Sequence, residues 1–130
     1  MSTRTRFAPY SVITNQSMAA DITSAATVLQ SITGVSYALS WSGSTPVGTA
    51  AVQVSNDYAL NPDGSVHNAG TWTTIELSLN GSAVSSIPIT GNTGSGFIDV
   101  EKTMAYAIRL FYDATSGSGT LNAVIMGKVS

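Results

Sequence analysis

The sequence predicts an all-β fold, namely a two-sheet antiparallel β-sandwich or jelly roll. Two observations predict it. Apolar residues recur with a period of two almost wherever a pattern is visible, and turn-forming residues interrupt the chain about every 8 to 15 residues. Short strands at such a spacing are typical of sandwiches and jelly rolls. We therefore expect about eight or nine short strands around one core.

Charge is scarce in this chain. The 130 residues include 5 Lys and Arg against 7 Asp and Glu, so the net charge is −2 and only 9% of the residues are charged. Roughly 25% is usual for a soluble domain, so the 19 Ser and 16 Thr must keep the surface hydrated. A hydrophobic content of 43% excludes disorder, and the length suits a single domain.

The first third of the chain has the weakest pattern. Residues 7–14 have the alternation of a strand, whereas residues 17–30 fit either strands or a helical turn. Thr23 and Thr27, with their β-branched neighbours, disfavour a helix. We therefore expect strands here as well.

The central part alternates clearly, and residues 35–41 predict a half-buried strand. Its apolar face consists of Val35, Tyr37, Leu39 and Trp41. Residues 43–48 have the composition of a turn, so we expect residues 49–55 to form the antiparallel neighbour. Residues 72–79 alternate again, and the dipeptide Asn80-Gly81 after them predicts a tight hairpin.

The last third repeats this pattern. Residues 97–100 predict a short strand, and residues 106–112 and 121–126 predict two strands of a hairpin joined by residues 115–119. The positions expected in the core of the first of these two are Tyr106, Ile108, Leu110 and Tyr112.

Candidates for catalysis are few. His67 could serve as a base or metal ligand with Asp57 or Asp63, but no second His or Cys is present to complete a metal site. Asp99 and Glu101, two apart on a strand, could form an acid pair for glycoside hydrolysis, although such pairs usually face solvent. We predict no catalytic residues, no metal site and no cofactor, and hence a protein that is not an enzyme.

Oxygen ligands for calcium could come from the stretch that contains Asn56, Asp57, Asn61 and Asp63. Their spacing matches no defined calcium loop, and these residue types are also typical of turns. We therefore favour turn chemistry at these positions.

Three aromatic residues suggest the one ligand site that deserves weight. Trp41, Tyr58 and Trp72 lie at or just beyond predicted strand ends, where exposed rings could stack on sugars, with Asp57 and Asn61 nearby. The other interpretation is that the two tryptophans are core or interface residues, because large rings dominate burial in sandwiches.

Several classes of partner are disfavoured. Five cations spread along the chain cannot form the basic stripe that nucleic-acid binding requires. No apolar run approaches the roughly 20 residues that span a bilayer, and no signal-peptide core follows the N-terminus. The absence of cysteine fits synthesis in a reducing compartment. We expect no nucleic-acid and no membrane partner, and synthesis in the cytoplasm.

Four segments carry a resemblance to a known group of proteins. They are residues 41–44 (WSGS), 50–58 (AAVQVSNDY), 70–73 (GTWT) and 106–128 (YAIRLFYDATSGSGTLNAVIMGK). Over about residues 35–128 the chain resembles small β-sandwich, jelly-roll-like virion structural proteins of tailed bacteriophages, of the capsid decoration (cement) type. The resemblance implies a structural protein of the virion that binds the outer head surface as a dimer or trimer.

The expected function is therefore that of a decoration protein, which binds the assembled head as a homo-oligomer. We favour a trimer, because sheet edges must be covered, and we expect the major capsid protein or another virion protein as partner. Arg109 and Phe111 form the candidate oligomer face, since they alternate with the predicted core positions. The alternative is a carbohydrate- or receptor-binding module of a virion fibre or spike.

The N-terminus is a candidate for capsid binding. Residues 1–9 hold two of the five cations, Arg4 and Arg6, and little apolar surface before Phe7. We interpret residues 1–9 as a flexible arm and residues 10–130 as a single β-sandwich domain. The arm is either a plain tail or a tether that orders on an acidic capsid partner.

Overall fold

The structure is a computed structural model that describes residues 6–29, 32–100 and 103–128. These residues form antiparallel strands and contain no helix, which confirms the predicted all-β class. The strands are β1 (Arg6–Ser17), β2 (Ile22–Thr23), β3 (Thr27–Val28), β4 (Gly34–Ser55), β5 (Ala59–Leu60), β6 (Val66–Asn68), β7 (Thr73–Thr74), β8 (Leu77–Leu79), β9 (Ser82–Val84), β10 (Ile87–Thr90), β11 (Thr93–Val100) and β12 (Ala107–Lys128).

Two strands of 22 residues each, β4 and β12, form the centre of the fold. They run antiparallel and are paired along almost their whole length. The pairing is irregular between Ala114 and Ser118, opposite residues 44–48. Thr45 (φ 46°) and Gly117 (φ 76°) have a left-handed backbone there. Irregularities of this kind bend a strand and increase its twist.

The bend divides the molecule into two layers. Sheet I contains β11, the first half of β4, the second half of β12, and β1. Sheet II contains β7 and β10, the second half of β4, the first half of β12, and β2 and β3. The buried residues of both sheets belong to one hydrophobic core, so the predicted sandwich is confirmed.

The buried faces follow the predicted alternation on both long strands. In β4 the buried side chains are at odd positions before the bend and at even positions after it, because the irregular segment shifts the alternation by one residue. The main core positions of β4 and β12 are Val35, Tyr37, Leu39, Trp41, Ala50, Val52, Ile108, Leu110, Tyr112, Leu121, Ala123 and Ile125.

The predicted turns at residues 43–48 and 115–119 are wrong. Both segments lie inside the long strands, which bend there and continue. A bulge with left-handed residues uses the same small and turn-forming residue types as a hairpin loop, and pairing across the bend satisfies the same backbone groups. Each predicted pair of strands is therefore one long strand, and the expected set of eight or nine short strands is also wrong.

Two other local predictions are confirmed, and a third, for Tyr106, is wrong. Asn80 (φ 53°) and Gly81 (φ 83°) form the tight turn between β8 and β9, as predicted. Residues 17–30 contain the short strands β2 and β3 and, in their described part, no helical turn. Tyr106 is not a core residue: it precedes β12 and is 40% exposed. Its backbone N–H donates to Asn56 Oδ1 instead of a ladder partner, which takes it out of the predicted alternation.

The first strand overlaps the segment predicted as an N-terminal arm. β1 begins at Arg6, and Arg6 and Phe7 are paired with the end of β12. Residues 6–9 therefore belong to the sandwich, because β12 offers backbone partners that the composition of this segment does not reveal. Arg4, the other charged residue of the predicted arm, lies outside the described residues.

The two lateral edges of the sandwich differ. At the closed edge, β1 of sheet I is joined to the β2–β3 region of sheet II: the Ala25 N–H donates to the Val12 carbonyl (3.2 Å), and the Tyr10 hydroxyl is hydrogen-bonded to Thr27 Oγ1 (2.8 Å). Met18 is fully buried at the corner between β1 and β2. At the open edge, a groove is lined by residues 97–100 of β11, by residues 75–79 and by Ile87 of β10.

Candidate functional site

Tyr58, Trp72 and Arg109 form a cluster on the outer face of sheet II, here called the aromatic cluster. The guanidinium carbon of Arg109 lies 4.3 Å from the centroid of the Trp72 ring, within cation–π distance. The Tyr58 and Trp72 ring centroids are 5.7 Å apart with an interplanar angle of 57°, which is a favourable tilted arrangement. All three side chains are half-buried.

Neighbouring strands position Arg109. It lies directly opposite Gln53 in the β4–β12 ladder, and its Nε donates to Gln53 Oε1 at 2.8 Å. Burial lowers the pKa of the Arg109 guanidinium, although a group with so high an ordinary pKa stays charged at neutral pH. Arg109 therefore presents a fixed positive charge over the Trp72 ring.

A polar turn positions Tyr58 and Trp72. Asp57 Oδ1 accepts from Ser55 Oγ (2.7 Å) and from the Thr71 N–H (2.6 Å), which joins the end of β4 to the segment before β7. The hydrogen bonds from Thr71 and then Ser55 lower the pKa of Asp57. Gly70 (φ 84°) is needed in this turn, because a Cβ there would lie 2.8 Å from Ser55 Oγ.

The structure thus brings together three residues of the predicted sugar site and leaves two outside it. Asp57, Tyr58 and Trp72 are adjacent, whereas Trp41 is only 9% exposed and belongs to the core of sheet I. Trp41 packs where β11 has a glycine at position 94, since a Cβ on Gly94 would overlap its indole ring. The sequence does not distinguish these two tryptophans.

Asn61 belongs to a separate turn. Its side-chain amide donates to Ser65 Oγ at 3.0 Å, and its backbone N–H donates to the Ser65 carbonyl at 2.7 Å. In the same turn Asp63 Oδ1 accepts from the Ser65 hydroxyl (2.6 Å) and N–H (3.0 Å), and these bonds lower the pKa of Asp63. These bonds fit the turn interpretation of the Asn- and Asp-rich stretch.

The internal contacts of the aromatic cluster limit what it can bind. Trp72 Nε1 donates to the Ala69 carbonyl at 2.8 Å, and Arg109 covers one face of the indole ring. A ligand would therefore meet the remaining ring surface and the guanidinium edge, beside a carboxylate already engaged by Thr71. Such a site suits a planar or sugar-like group held by stacking.

Arg109 belongs both to the aromatic cluster and to the face that the sequence predicts for oligomer contacts. Arg109 and Phe111 were expected to form an oligomer face, and both are half-buried on the outer side of sheet II. Phe111 lies opposite Ala51 on β4 and Thr23 on β2. The contact between Arg109 and Trp72 joins residues 37 positions apart, and no local pattern signals it.

The remaining polar candidates are dispersed. His67 is exposed on β6 and Asp99 is exposed on β11, whereas Glu101 lies outside the described residues. Within the described ranges, no group of three or more His, Asp or Glu side chains could hold a metal ion. The same part of the chain contains no helix that is long and apolar enough to cross a membrane.

The groove at the open edge was not predicted. Its volume is about 930 Å³, and it runs between β11, the β8–β9 hairpin, the end of β4 and residues 103–105. Two large apolar side chains are exposed at its rim, Phe97 (64%) and Met104 (90%). Glu76 and Asp99 are the charged residues among its lining. The only hint in the sequence is Phe97, which is apolar at an outward position.

A comparison with solved structures finds a protein of similar fold. No protein-family model matches this sequence, and a search of curated proteins gives no match. The crystal structure of the SPBc2 prophage-derived protein YomS is similar, with a TM-score of 0.56 over 97% of this chain and 96% of that chain. The sequence identity is 12%, so the comparison defines a shared β-sandwich fold. YomS is a prophage-derived protein, and this chain is similar to it in fold.

Proposed function

We propose that this chain is a non-enzymatic structural protein of a tailed-phage virion, and specifically a decoration protein that binds the assembled head as a homo-oligomer. The observation that carries this proposal is the similarity to a prophage-derived protein over nearly the full length of both chains. A match over both whole chains means that the complete sandwich is shared, not a fragment of it. The proposed partner is the major capsid protein.

The outer face of sheet I supports an interaction role. Its central strand carries small side chains, and Ala38 lies between Phe97 on β11 and Val124 on β12. Phe97 and Met126 are exposed on this face by 64% and 38%. Exposed apolar side chains are a feature of surfaces that contact other proteins, and a low charge would allow many copies to lie close together on a lattice.

The aromatic cluster supports a second candidate, a carbohydrate- or receptor-binding module of a fibre or spike. The specific observation is that Tyr58 and Trp72 lie together on an outer face, 5.7 Å apart, beside the Arg109 guanidinium. Aromatic rings next to polar groups are typical of sites that bind planar or sugar-like ligands.

Cosedimentation with capsid shells tests the leading proposal. The purified chain is mixed with empty shells of the phage that encodes it and, separately, with unassembled capsid subunits. We expect binding to shells only, because several weak contacts add up where binding sites are regularly spaced. Shells that carry the protein should also withstand heating better than bare shells, since binding stabilises the assembled state. Absence of shell binding at every ionic strength would overturn the decoration role.

A glycan panel tests the second candidate. Trp72→Ala removes the ring of the aromatic cluster, and Trp41→Phe serves as the matched control because Trp41 lies in the core. Glycan binding that is lost in Trp72→Ala and kept in Trp41→Phe, together with no shell binding, would establish the receptor-binding function in place of decoration.

A further inference from the structure

We propose that two copies of this chain associate through β11, whose strands pair antiparallel about a two-fold axis with Phe97 of one copy opposite the partner's Phe97. The inference rests on the homo-oligomer contained in the proposed function and deepens it by naming the interface. It gives a dimer, whereas the sequence-based expectation was a trimer that uses the face around Arg109 and Phe111.

The first argument is the free edge of β11. This strand has eight residues and pairs with β4 without a register shift. Among residues 6–29, 32–100 and 103–128, no strand pairs with its other side. A free strand edge presents a row of backbone N–H and C=O groups that another strand can bind. The groove lined by residues 97–100 leaves space beside this edge.

The second argument is that other edge strands carry protective features which β11 lacks. Sheets limit edge-to-edge pairing with proline, irregular pairing, lysine or very short strands. β1, the other end strand of sheet I, contains Pro9 and has three register shifts against β12. In sheet II, β10 has four residues that include Pro88, and β7 has two. β11 is regular and contains neither proline nor lysine, so of the described edge strands it is the one suited to pair with another chain.

The inward face of β11 is complementary to itself. Its inward side chains are at even positions and its outward ones at odd positions, and residues that lie opposite each other in a ladder share a face. With Phe97 on the axis, Gly96 lies opposite the partner's Ile98. Gly94 likewise lies opposite the partner's Val100. Each inward pair therefore combines a glycine with a large apolar side chain, and no two large side chains compete for the same space.

The outward face is complementary as well. Ser95 lies opposite the partner's Asp99, where the hydroxyl can donate to the carboxylate. Asp99 is the charged residue of β11, so no like charges face each other. The two Phe97 rings, each 64% exposed in the single chain, become a cross-strand aromatic pair. The apolar row of Val124, Ala38 and Phe97 then continues into the partner.

A shift of the axis in either direction loses these matches. With Ile98 on the axis, Phe97 lies opposite the partner's Asp99, so an apolar ring faces a carboxylate. With Gly96 on the axis, two glycines lie opposite each other and Phe97 lies opposite the partner's Ser95. The register with Phe97 on the axis is therefore the favoured one. Because β1 is protected, this pairing uses the free edge of sheet I in both copies and closes as a dimer.

Disulfide formation between two single-cysteine variants tests the pairing and its register. The chain contains no cysteine, and Ser95 and Asp99 are both exposed. A mixture of Ser95→Cys and Asp99→Cys places two thiols opposite each other, with a Cβ separation of about 5 Å that a disulfide can bridge after a small adjustment. Each variant alone is the matched control, because its two thiols are then four residues apart along the strands, about 13 Å.

We expect mild oxidation to give a covalent dimer of twice 13.4 kDa from the mixture and little or none from either variant alone. Equal yields in all three samples, or no covalent dimer from the mixture, would overturn the proposed pairing.

Lysine substitutions distinguish edge pairing from packing of the outer faces. Phe97→Lys places like charges opposite each other at the axis, so it should weaken dimerisation at least about tenfold in analytical ultracentrifugation. Ala38→Lys is the matched control, because Ala38 is exposed on the same outer face but lies one strand further from the edge, opposite Phe97. We expect it to leave dimerisation nearly unchanged.

Equal weakening by the two lysine variants would contradict the inference, and so would no weakening by Phe97→Lys or a chain that stays monomeric. The shell assay decides the decoration role separately, because it measures binding to capsids. A chain that binds shells but forms no mixed disulfide would keep the decoration role and lose this interface. A chain that forms the mixed disulfide but binds no shells would keep this interface and lose the decoration role.

Discussion

The two lateral edges of this sandwich differ in how the two sheets meet. At both edges the chain passes around the bend in a similar manner: the Met18 N–H donates to the Gly119 carbonyl on one side, and the Gly43 N–H donates to the Asn92 carbonyl on the other. Beyond these corners, the closed edge is joined by hydrogen bonds between the sheets, whereas the open edge leaves a groove of about 930 Å³.

The two edges also differ in how much apolar surface they bury. The closed edge buries Met18 and Ile22 and completes the core. The open edge exposes Phe97 and Met104, although Leu77, Ile98 and Val100 beneath them are buried. The closed edge therefore contributes buried side chains to the core, whereas the open edge presents exposed apolar ones.

The largest effect is expected at the sealed corner. Met18→Ala should lower the free energy of unfolding by about 4 kcal/mol, because it removes a fully buried side chain and leaves a cavity. Urea denaturation measures the loss. Met104→Ala at the open edge is the matched control, and it should change stability by less than about 0.5 kcal/mol because Met104 is 90% exposed. Similar losses in the two variants would contradict the distinction between the edges.

A smaller effect is expected from a buried hydroxyl at the closed edge. Ser24 Oγ accepts from the Leu110 N–H at 2.8 Å and donates to the Ala25 carbonyl at 3.0 Å. Ser24→Ala leaves the buried Leu110 N–H without this acceptor, so it should cost about 2 kcal/mol in denaturant unfolding. Ser78→Ala, at an exposed position of the open edge, is the control. An unchanged midpoint for Ser24→Ala would show that the closed edge does not depend on this bond.

A third test concerns the aromatic cluster on the outer face of sheet II. It asks whether this cluster contributes to stability, as the closed edge does, or is independent of the core. Arg109→Ala should cost about 1 kcal/mol, because it removes the contact with Trp72 and the bond to Gln53. It should also change the fluorescence of Trp72, which can be followed in a Trp41→Phe background. No change in either quantity would mean that this face is as independent of the core as the open edge.

The smallest effect on stability is expected at the rim of the groove. Phe97→Ser should change the unfolding free energy by less than about 0.5 kcal/mol, because Phe97 is 64% exposed. It should reduce the proposed self-association nonetheless, since it removes exposed apolar surface from the outer face of sheet I. Analytical ultracentrifugation and urea unfolding of the same samples separate the two effects. A large loss of stability with normal association would reverse the roles given to the edges.

Alternation along the chain predicts the buried faces well. Tyr37, Leu39 and Trp41 are buried as expected, and so are Leu110 and Tyr112, because each strand must place one face on the core. The sequence predicts turns where the two long strands bend, because Gly117 and Thr45 are compatible with both. Only the pairing of β4 with β12 across the bend decides between them, and pairing between distant segments leaves no local signal.

The candidate sites were less predictable for the same reason. The contact of Trp72 with Arg109 depends on how β7 meets the β4–β12 pair, and the groove depends on where β11 ends beside the β8–β9 hairpin. Trp41 and Trp72 look alike in sequence, yet a glycine at position 94 makes room for one of them in the core. Such placements follow from packing between elements rather than from spacing within them.

The long β4–β12 pair also determines how this chain can fold. Residues that pair along it are between 52 and 94 positions apart in the sequence, so large loops must close before the ladder is formed, and folding is expected to be slow for a domain of this size. Both sheets take their central strands from this one pair. Neither layer can therefore form without the other, and the sandwich should fold and unfold as one cooperative unit in which no half survives alone.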